Sequence, residues 1–297
     1  MPRSETRIFQ VDAFTSEPFR GNPAAVCLLD APRTDAWMQS VAAEMNLSET
    51  AFVTRGEDAT SGPSWELRWF TPTTEVPLCG HATLASAHIL WESGAIAPTD
   101  AARFETRSGV LAARRVPNDE AASAPRTEEA AAQDAVRIEI DLPAFPVTKM
   151  AAPAAAVRAL GGARVLFCGR TAERGLGDID YLLELESEAI VRALRPDFAL
   201  LAREVPAGVI ATARAEKSGE YDFVSRYFAA PYGIDEDPVT GAAHCALGPY
   251  WSGRLARSSL VGYQASTRGG FVATRVAGDR ALLSGSAVTV LSGTFFG

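Results

Sequence analysis

Glu49, His81 and Asp237 are the ionisable residues whose placement could support proton chemistry. Glu49 falls in a short helix-to-strand connection beside Thr50-Ala-Phe-Val-Thr-Arg55, a strand that should be buried. A carboxyl group there is costly to ionise, and burial moves its pKa toward the range useful for proton transfer near neutrality. His81 directly follows Gly80, where a helix should begin. The positive end of that helix favours a neutral imidazole, which can donate or accept a hydrogen bond. Asp237 lies in Glu236-Asp-Pro-Val-Thr-Gly241, at the start of a second such helix. Each has a plainer reading. Glu49 also fits a surface residue at a strand start, His81 a capping or core histidine, and Asp237 a carboxylate tied to N–H groups of its own turn.

Cys79, one residue before Gly80, is a further candidate, because a thiol at a helix start can have a lowered pKa and act as base or nucleophile. A two-thiol racemase needs a second cysteine at the matching position, which is Thr240, a residue that cannot serve as a base near neutral pH. The sequence contains no GxSxG elbow, complete GxGxxG, Walker A or HExxH motif. Its 4 cysteines form no CxxC pair, and its 3 histidines have no zinc-site spacing. No metal and no cofactor is therefore expected.

The elements that position these residues come in two copies. Arg68-Trp-Phe-Thr-Pro-Thr-Thr-Glu-Val-Pro-Leu-Cys-Gly80 continues into an apolar run ending at Trp91, and Arg226-Tyr-Phe-Ala-Ala-Pro-Tyr-Gly-Ile-Asp-Glu-Asp-Pro-Val-Thr-Gly241 into one ending at Trp251. Each opens as an alternating strand, turns at proline, and reaches a glycine where a helix starts. Residues 82–91 and 242–251 are apolar nearly all round, which places both helices inside a core. Their first turns carry unpaired N–H groups and about half a positive charge, a site for an anion. Two buried helices whose starts share one carboxylate are the expectation. Pro249 should kink or shorten the second helix. Glu75 and Glu236 read as braces of the loops before the helices.

The rest of the chain frames this pair. A length of 297 residues suffices for two cores of about 150 residues each. The expected halves are residues 1–117, possibly completed by a final strand over about 284–297, and 135–283. The connection at 118–134, rich in Ala, Asp, Glu, Pro and Ser, reads as a linker. Thr34 should cap a helix whose face is Trp37, Met38, Val41, Ala42 and Met45. A net charge of −8 leaves no nucleic-acid footprint. No apolar signal core and no 18-residue apolar run is seen, so a soluble, cytoplasmic protein without membrane contact is expected.

Four segments in order resemble the PhzF-like phenazine-biosynthesis family: Phe9-Gln-Val-Asp-Ala-Phe-Thr with Gly21-Asn-Pro-Ala-Ala-Val26, Asn46-Leu-Ser-Glu-Thr-Ala-Phe52, Cys79-Gly-His-Ala-Thr83, and Glu236-Asp-Pro-Val-Thr-Gly-Ala-Ala-His-Cys245. The resemblance implies the diaminopimelate-epimerase-like α+β fold, with two pseudo-symmetric halves, each a mixed, mainly antiparallel sheet around a central helix. It implies a homodimer and cofactor-free isomerisation of a small carboxylate of the dihydro-3-hydroxyanthranilate kind. By resemblance the acid/base role falls to Glu49, substrate positioning to His81 and Asp237, and carboxylate binding to the Gly80 and Gly241 amides. Asn22, Cys79 and Ala242 are further candidates. Ala242 departs from the serine common in the family, removing a hydrogen bond typically worth about 0.5–1.5 kcal/mol. Substrate identity is affected by that change more than reaction type. The expected reaction is a single-base proton shift; a Cys79-dependent racemase or epimerase and a non-catalytic binding protein on the same fold are the alternatives.

Overall fold

Asn22-Pro-Ala-Ala-Val-Cys-Leu-Leu29 has no polar side chain after its first residue, and it forms a strand largely buried on both faces. Around it the first of two compact units is built. This computed structural model describes residues 5–56, 63–116, 137–172, 179–216 and 219–297. The connection expected at 118–134 lies outside the described residues.

In the first unit the strands run side by side as β18 (Ala287–Phe296), β1 (Glu5–Ala13), β2 (Asn22–Leu29), β3 (Glu49–Arg55), β4 (Trp65–Phe70), β6 (Ala102–Thr106), β7 (Gly109–Val116) and β8 (Arg137–Pro143). Successive pairings are antiparallel, antiparallel, parallel, antiparallel, parallel, antiparallel and antiparallel. Strand β5 (Glu75–Val76) folds back onto β4. Strand β8, expected to open the second half, bonds to β7, so residues 137–141 group with this unit.

Helix α1 (Asp35–Met45) starts where the Thr34 hydroxyl accepts the Trp37 N–H and ends at Asn46 in the left-handed conformation, φ 51°. Its Met38, Val41 and Ala42 pack with Ile8, Cys27, Leu29, Phe52 and Phe70. Helix α2 (Gly80–Glu92) packs against β1, β2, β3, β7 and β18. Eleven of its 13 residues are buried, because a helix with no polar face has nowhere else to go.

The second unit repeats this plan. Its strands run as β9 (Val147–Lys149), β10 (Val165–Thr171), β11 (Asp180–Leu185), β12 (Gly208–Arg214), β13 (Phe223–Ala229), β15 (Ser259–Gln264) and β16 (Gly270–Ala277). Their pairings, antiparallel twice and then parallel, antiparallel, parallel and antiparallel, match those from β18 to β7 step for step. Strand β14 (Ile234–Asp237) folds onto β13 as β5 folds onto β4, and helix α6 (Gly241–Leu255) follows. Short helices α3 (Ala154–Ala159), α4 (Glu188–Ala193) and α5 (Phe198–Glu204) pack Ala156, Val191 and Leu201 with Leu183, Val209 and Phe228. Strand β17 (Arg280–Gly285) leads back to the first unit.

Pro249 does not shorten α6; the helix runs 15 residues through it. The proline cannot donate to the Cys245 carbonyl, four residues earlier, and that carbonyl instead accepts the Phe145 N–H at 2.9 Å. A segment distant in sequence supplies the hydrogen bond that the helix lacks.

Both copies of the Arg-aromatic-Phe strand are tied to the loop after them by the same ion pair. Arg68 holds Glu75 through two bonds of 2.8 Å, and Arg226 holds Glu236 through bonds of 2.7 and 2.8 Å. Each guanidinium also lies over the phenylalanine two residues on, Phe70 at 5.2 Å and Phe228 at 5.0 Å. Glu75 has a second cation, Arg107 at 2.7 Å. Arg226→Met should therefore destabilise the protein by about 3–5 kcal/mol, because it strands Glu236 in a mostly buried place. Arg68→Met should cost less. Urea unfolding of the two variants checks the order.

Candidate active site

Three chain segments begin at the same corner of the first unit. Parallel register sets Glu49, the first residue of β3, beside Ala24, close to the start of β2 at Asn22. Helix α2 lies against both strands and starts with Cys79, Gly80 and His81. Asn22, Glu49, Cys79 and His81, separated by up to 59 positions in sequence, thereby become neighbours.

The imidazole is the centre of this group. Its Nδ1 lies 3.1 Å from Asn22 Nδ2 and 3.5 Å from Cys79 Sγ, and its Nε2 lies 3.4 Å from Glu49 Oε2. An amide nitrogen can only donate, so with Asn22 turned this way Nδ1 accepts and the ring proton resides on Nε2, facing Glu49. Burial pushes His81 down to about 3. Desolvation on burial is a cause of its neutrality that spacing alone does not show. Asn22 is fully buried, whereas the Glu49 side chain keeps 16% of its surface open. Glu49 can thus reach a solute that the imidazole behind it cannot. One ligand atom from each of Glu49, Cys79 and His81 lies within 4.8 Å of the other two, a donor set that could hold a metal ion. Cys79 is buried.

Gly80 is the first residue of α2, and no side chain caps that helix. The N–H groups of its first turn are left to other acceptors. Thr83 turns its hydroxyl back to the Cys79 carbonyl at 2.5 Å and leaves the amides alone. His88, seven residues beyond His81, is outside the group and bonds Glu92 and Thr289.

The second unit has a comparable helix start with different furniture. Asp237 ends β14, and its Oδ2 accepts the Thr240 hydroxyl at 2.5 Å. Gln264, at the end of β15, accepts the Thr240 N–H through Oε1 at 2.9 Å and donates through Nε2 to the Asp237 carbonyl at 2.7 Å. These bonds fix the turn that delivers Gly241, the first residue of α6, which likewise has no side-chain cap. Ala242 is half-buried beside it. The Asp237 side chain meets a hydroxyl in its turn, not only the N–H groups foreseen. Sequence reasoning missed Gln264 and Asn22's role as partner of His81. A lone glutamine in an apolar strand carries no local signal, and its function appears only when β15 is set beside the turn.

At the topological position of Glu49 the second unit has Gly208, the first residue of β12. A Cβ there would overlap the Tyr227 hydroxyl and the Asp180 carboxylate, which are bonded to each other at 2.9 Å. That corner is filled, and a glutamate at this position is present in one copy of the plan.

A sequence model of the family described as PhzC-PhzF, phenazine biosynthesis-like protein, matches residues 11–293. The chain belongs to this family. It is 46% identical to an uncharacterised isomerase of Halalkalibacterium halodurans, over 96% of this chain and 97% of the relative. It is 38% identical to phenazine biosynthesis-like domain-containing protein 2 of Mus musculus, over 97% and 98% of the two chains. The crystal structure of a PhzF-family phenazine biosynthesis protein of Enterococcus faecalis superposes with a TM-score of 0.81 at 35% identity, covering 99% of this chain and 100% of that one. The PhzF-like chain is an isomerase with the diaminopimelate-epimerase-like fold expected from its motifs. No helix among the described residues is long and apolar enough to cross a membrane.

His244, fully buried in α6, resembles His81 in being neutral; burial lowers it to about 4. Both histidines take up a proton at about 6.5 when the chain unfolds but resist it when folded. Between about pH 6.5 and pH 4 the unfolded state binds more protons, so stability falls as pH falls, by up to about 1.4 kcal/mol per pH unit for each histidine. Denaturant titrations from pH 7 to pH 4.5 should show a shallower loss in His244→Gln than in the parent.

Proposed function

We propose that this PhzF-like isomerase shifts a proton between two carbons on one face of a small carboxylate, with Glu49 as the single acid and base. The observation that supports this reading is the grouping of Glu49, His81 and Asn22: a partly open carboxyl group whose Oε2 lies 3.4 Å from Nε2 of a buried, neutral imidazole. Turned to donate, that Nε2–H steadies the Glu49 carboxylate once formed, and the support lessens when Glu49 takes the substrate proton. The pair therefore holds the carboxyl group ready for both directions of transfer.

The substrate carboxylate is assigned to the uncapped amides of the helix starts at Gly80 and Gly241, where the charge developing on deprotonation of a carbon acid is also stabilised. Asp237, set by Thr240 and Gln264, is assigned to a polar group elsewhere on the substrate. No cofactor has a role in this scheme. A ring amino acid of the dihydro-3-hydroxyanthranilate kind fits the family name, although Ala242 in place of serine argues for a substrate lacking the group that serine would bind. The homodimer and the cytoplasm complete the proposal as the expected assembly and location.

A single base removes a proton and returns it, so in D₂O substrate should exchange a carbon-bound proton for deuterium in parallel with isomerisation. Glu49→Gln should lower turnover by about 10²–10⁴-fold and abolish the exchange. Full exchange in that variant, followed by proton NMR over a panel of cyclic amino-carboxylates, sinks the proposal. Cys79→Ser should keep turnover within a few-fold of the parent; loss of both turnover and exchange there would instead support the thiol-dependent racemase.

A further inference from the structure

The donor atoms behind Glu49 combine a carboxylate, an imidazole and a thiol, and the proton-shift reading uses the thiol for nothing. We infer that Glu49, Cys79 and His81 form a binding site for a thiophilic divalent cation, zinc or cobalt, whose occupancy switches the isomerase off.

The geometry is close to what such an ion requires. Zinc bonds of about 2.0–2.3 Å in tetrahedral array set ligand atoms roughly 3.3–3.8 Å apart. Cys79 Sγ and His81 Nδ1 are already 3.5 Å apart, and one ligand atom from each of Glu49, Cys79 and His81 lies within 4.8 Å of the other two. Glu49, whose side chain is the most exposed of the three and whose Oε2 now lies 3.4 Å from Nε2, must swing its carboxylate toward the ion. The cysteine and histidine are held at the rigid start of a buried helix, so two ligands are positioned before any ion arrives. The mixed sulfur, nitrogen and oxygen set selects zinc and cobalt over magnesium and calcium, which prefer oxygen alone. The Asn22 amide, at 3.1 Å from Nδ1, must turn its oxygen toward the ion or move aside, and a water completes the fourth position. On binding, the metal–sulfur bond forms as the Cys79 S–H bond breaks, and the proton leaves to solvent. No oxidant or reductant takes part. With Glu49 coordinated, its oxygen no longer accepts a proton from carbon. This consequence rests on the proposed role of Glu49; the binding itself does not.

Metal-free full-length protein titrated with CoCl₂ should bind one equivalent and show a sulfur-to-cobalt charge-transfer band with tetrahedral ligand-field bands. Zinc competed against a chromophoric chelator should bind with the same stoichiometry, and Cys79→Ser should weaken it by at least tenfold and remove the band. Should that variant not fold, protection provides the answer in the parent. Zinc should block iodoacetamide labelling of Cys79, read by peptide mass spectrometry, and EDTA should restore it. Absence of the thiolate band, unchanged zinc affinity in Cys79→Ser, or labelling of Cys79 undiminished by zinc overturns the inference. None of these measurements needs a substrate, so a failed isomerase assay leaves the result readable. Zinc bound at Cys79 without loss of a demonstrated isomerase activity would overturn the switch.

Discussion

A helix without a polar face governs this architecture. Before its final Glu92, helix α2 carries only Thr83, Ser86 and the two histidines among apolar residues, and Thr83 and Ser86 satisfy their hydroxyls at the Cys79 and Ala82 carbonyls. Such a helix is stable in water only when strands surround it. Surrounding it buries its first turn as well, together with N–H groups that no side chain caps. The hydrophobic effect that hides the helix thus also places, within a protein interior, first-turn donors that carry partial positive charge and that no side chain caps. An ordinary surface helix would present these donors to water, where they would do little. Here the same desolvation that makes them valuable holds His81 neutral.

The strand pattern then decides which side chains meet that helix start. Because β2 and β3 are parallel, both begin at the same end, and a one-residue slip in their register would turn Glu49 to the other side of the sheet. The register is secured on the far face, where Phe52 and Cys27 pack with Met38 and Val41 of α1. Packing on one side of a strand thereby fixes the position of a carboxylate on the other. The Arg68–Glu75 pair acts similarly from β4, fastening the loop whose continuation is Cys79 and Gly80.

Much of this was legible in the sequence, for reasons that are physical. The paired Arg-aromatic-Phe segments, the glycine at each helix start and the apolar runs after them are local patterns, and the structure returns them as β4, β13, α2 and α6. The Thr34 cap was equally local. What escaped were consequences of long-range placement. Pro249 was expected to disturb α6, since a sequence cannot show that Phe145 will supply the missing donor to Cys245. Asn22 was a bare motif residue until β2 was laid beside α2, and Gln264 had no signal at all. Desolvation of His81 was likewise not legible, because burial is a property of the fold and not of spacing.

Duplication and divergence set the two corners apart. The two units share the order and direction of six successive strand pairings, yet the corner that holds Glu49 in one holds Gly208 in the other. Tyr227 and Asp180 occupy the space a side chain at Gly208 would need, so a glutamate could not be restored there without removing them. Likewise Ala242 stands where His81 stands in α2, and the nearest imidazole, His244, spends its Nδ1 on the Thr240 carbonyl while its ring packs beside Phe223. In the second copy the ionisable groups have become struts for the helix start, and in the first they remain around an accessible carboxyl oxygen. The second unit's corner does hold a carboxylate, but Asp180 is buried and accepts the Tyr227 hydroxyl at 2.9 Å. Only the first unit keeps a partly open carboxyl group at this position, and the single-base reading proposed for Glu49 rests on that asymmetry.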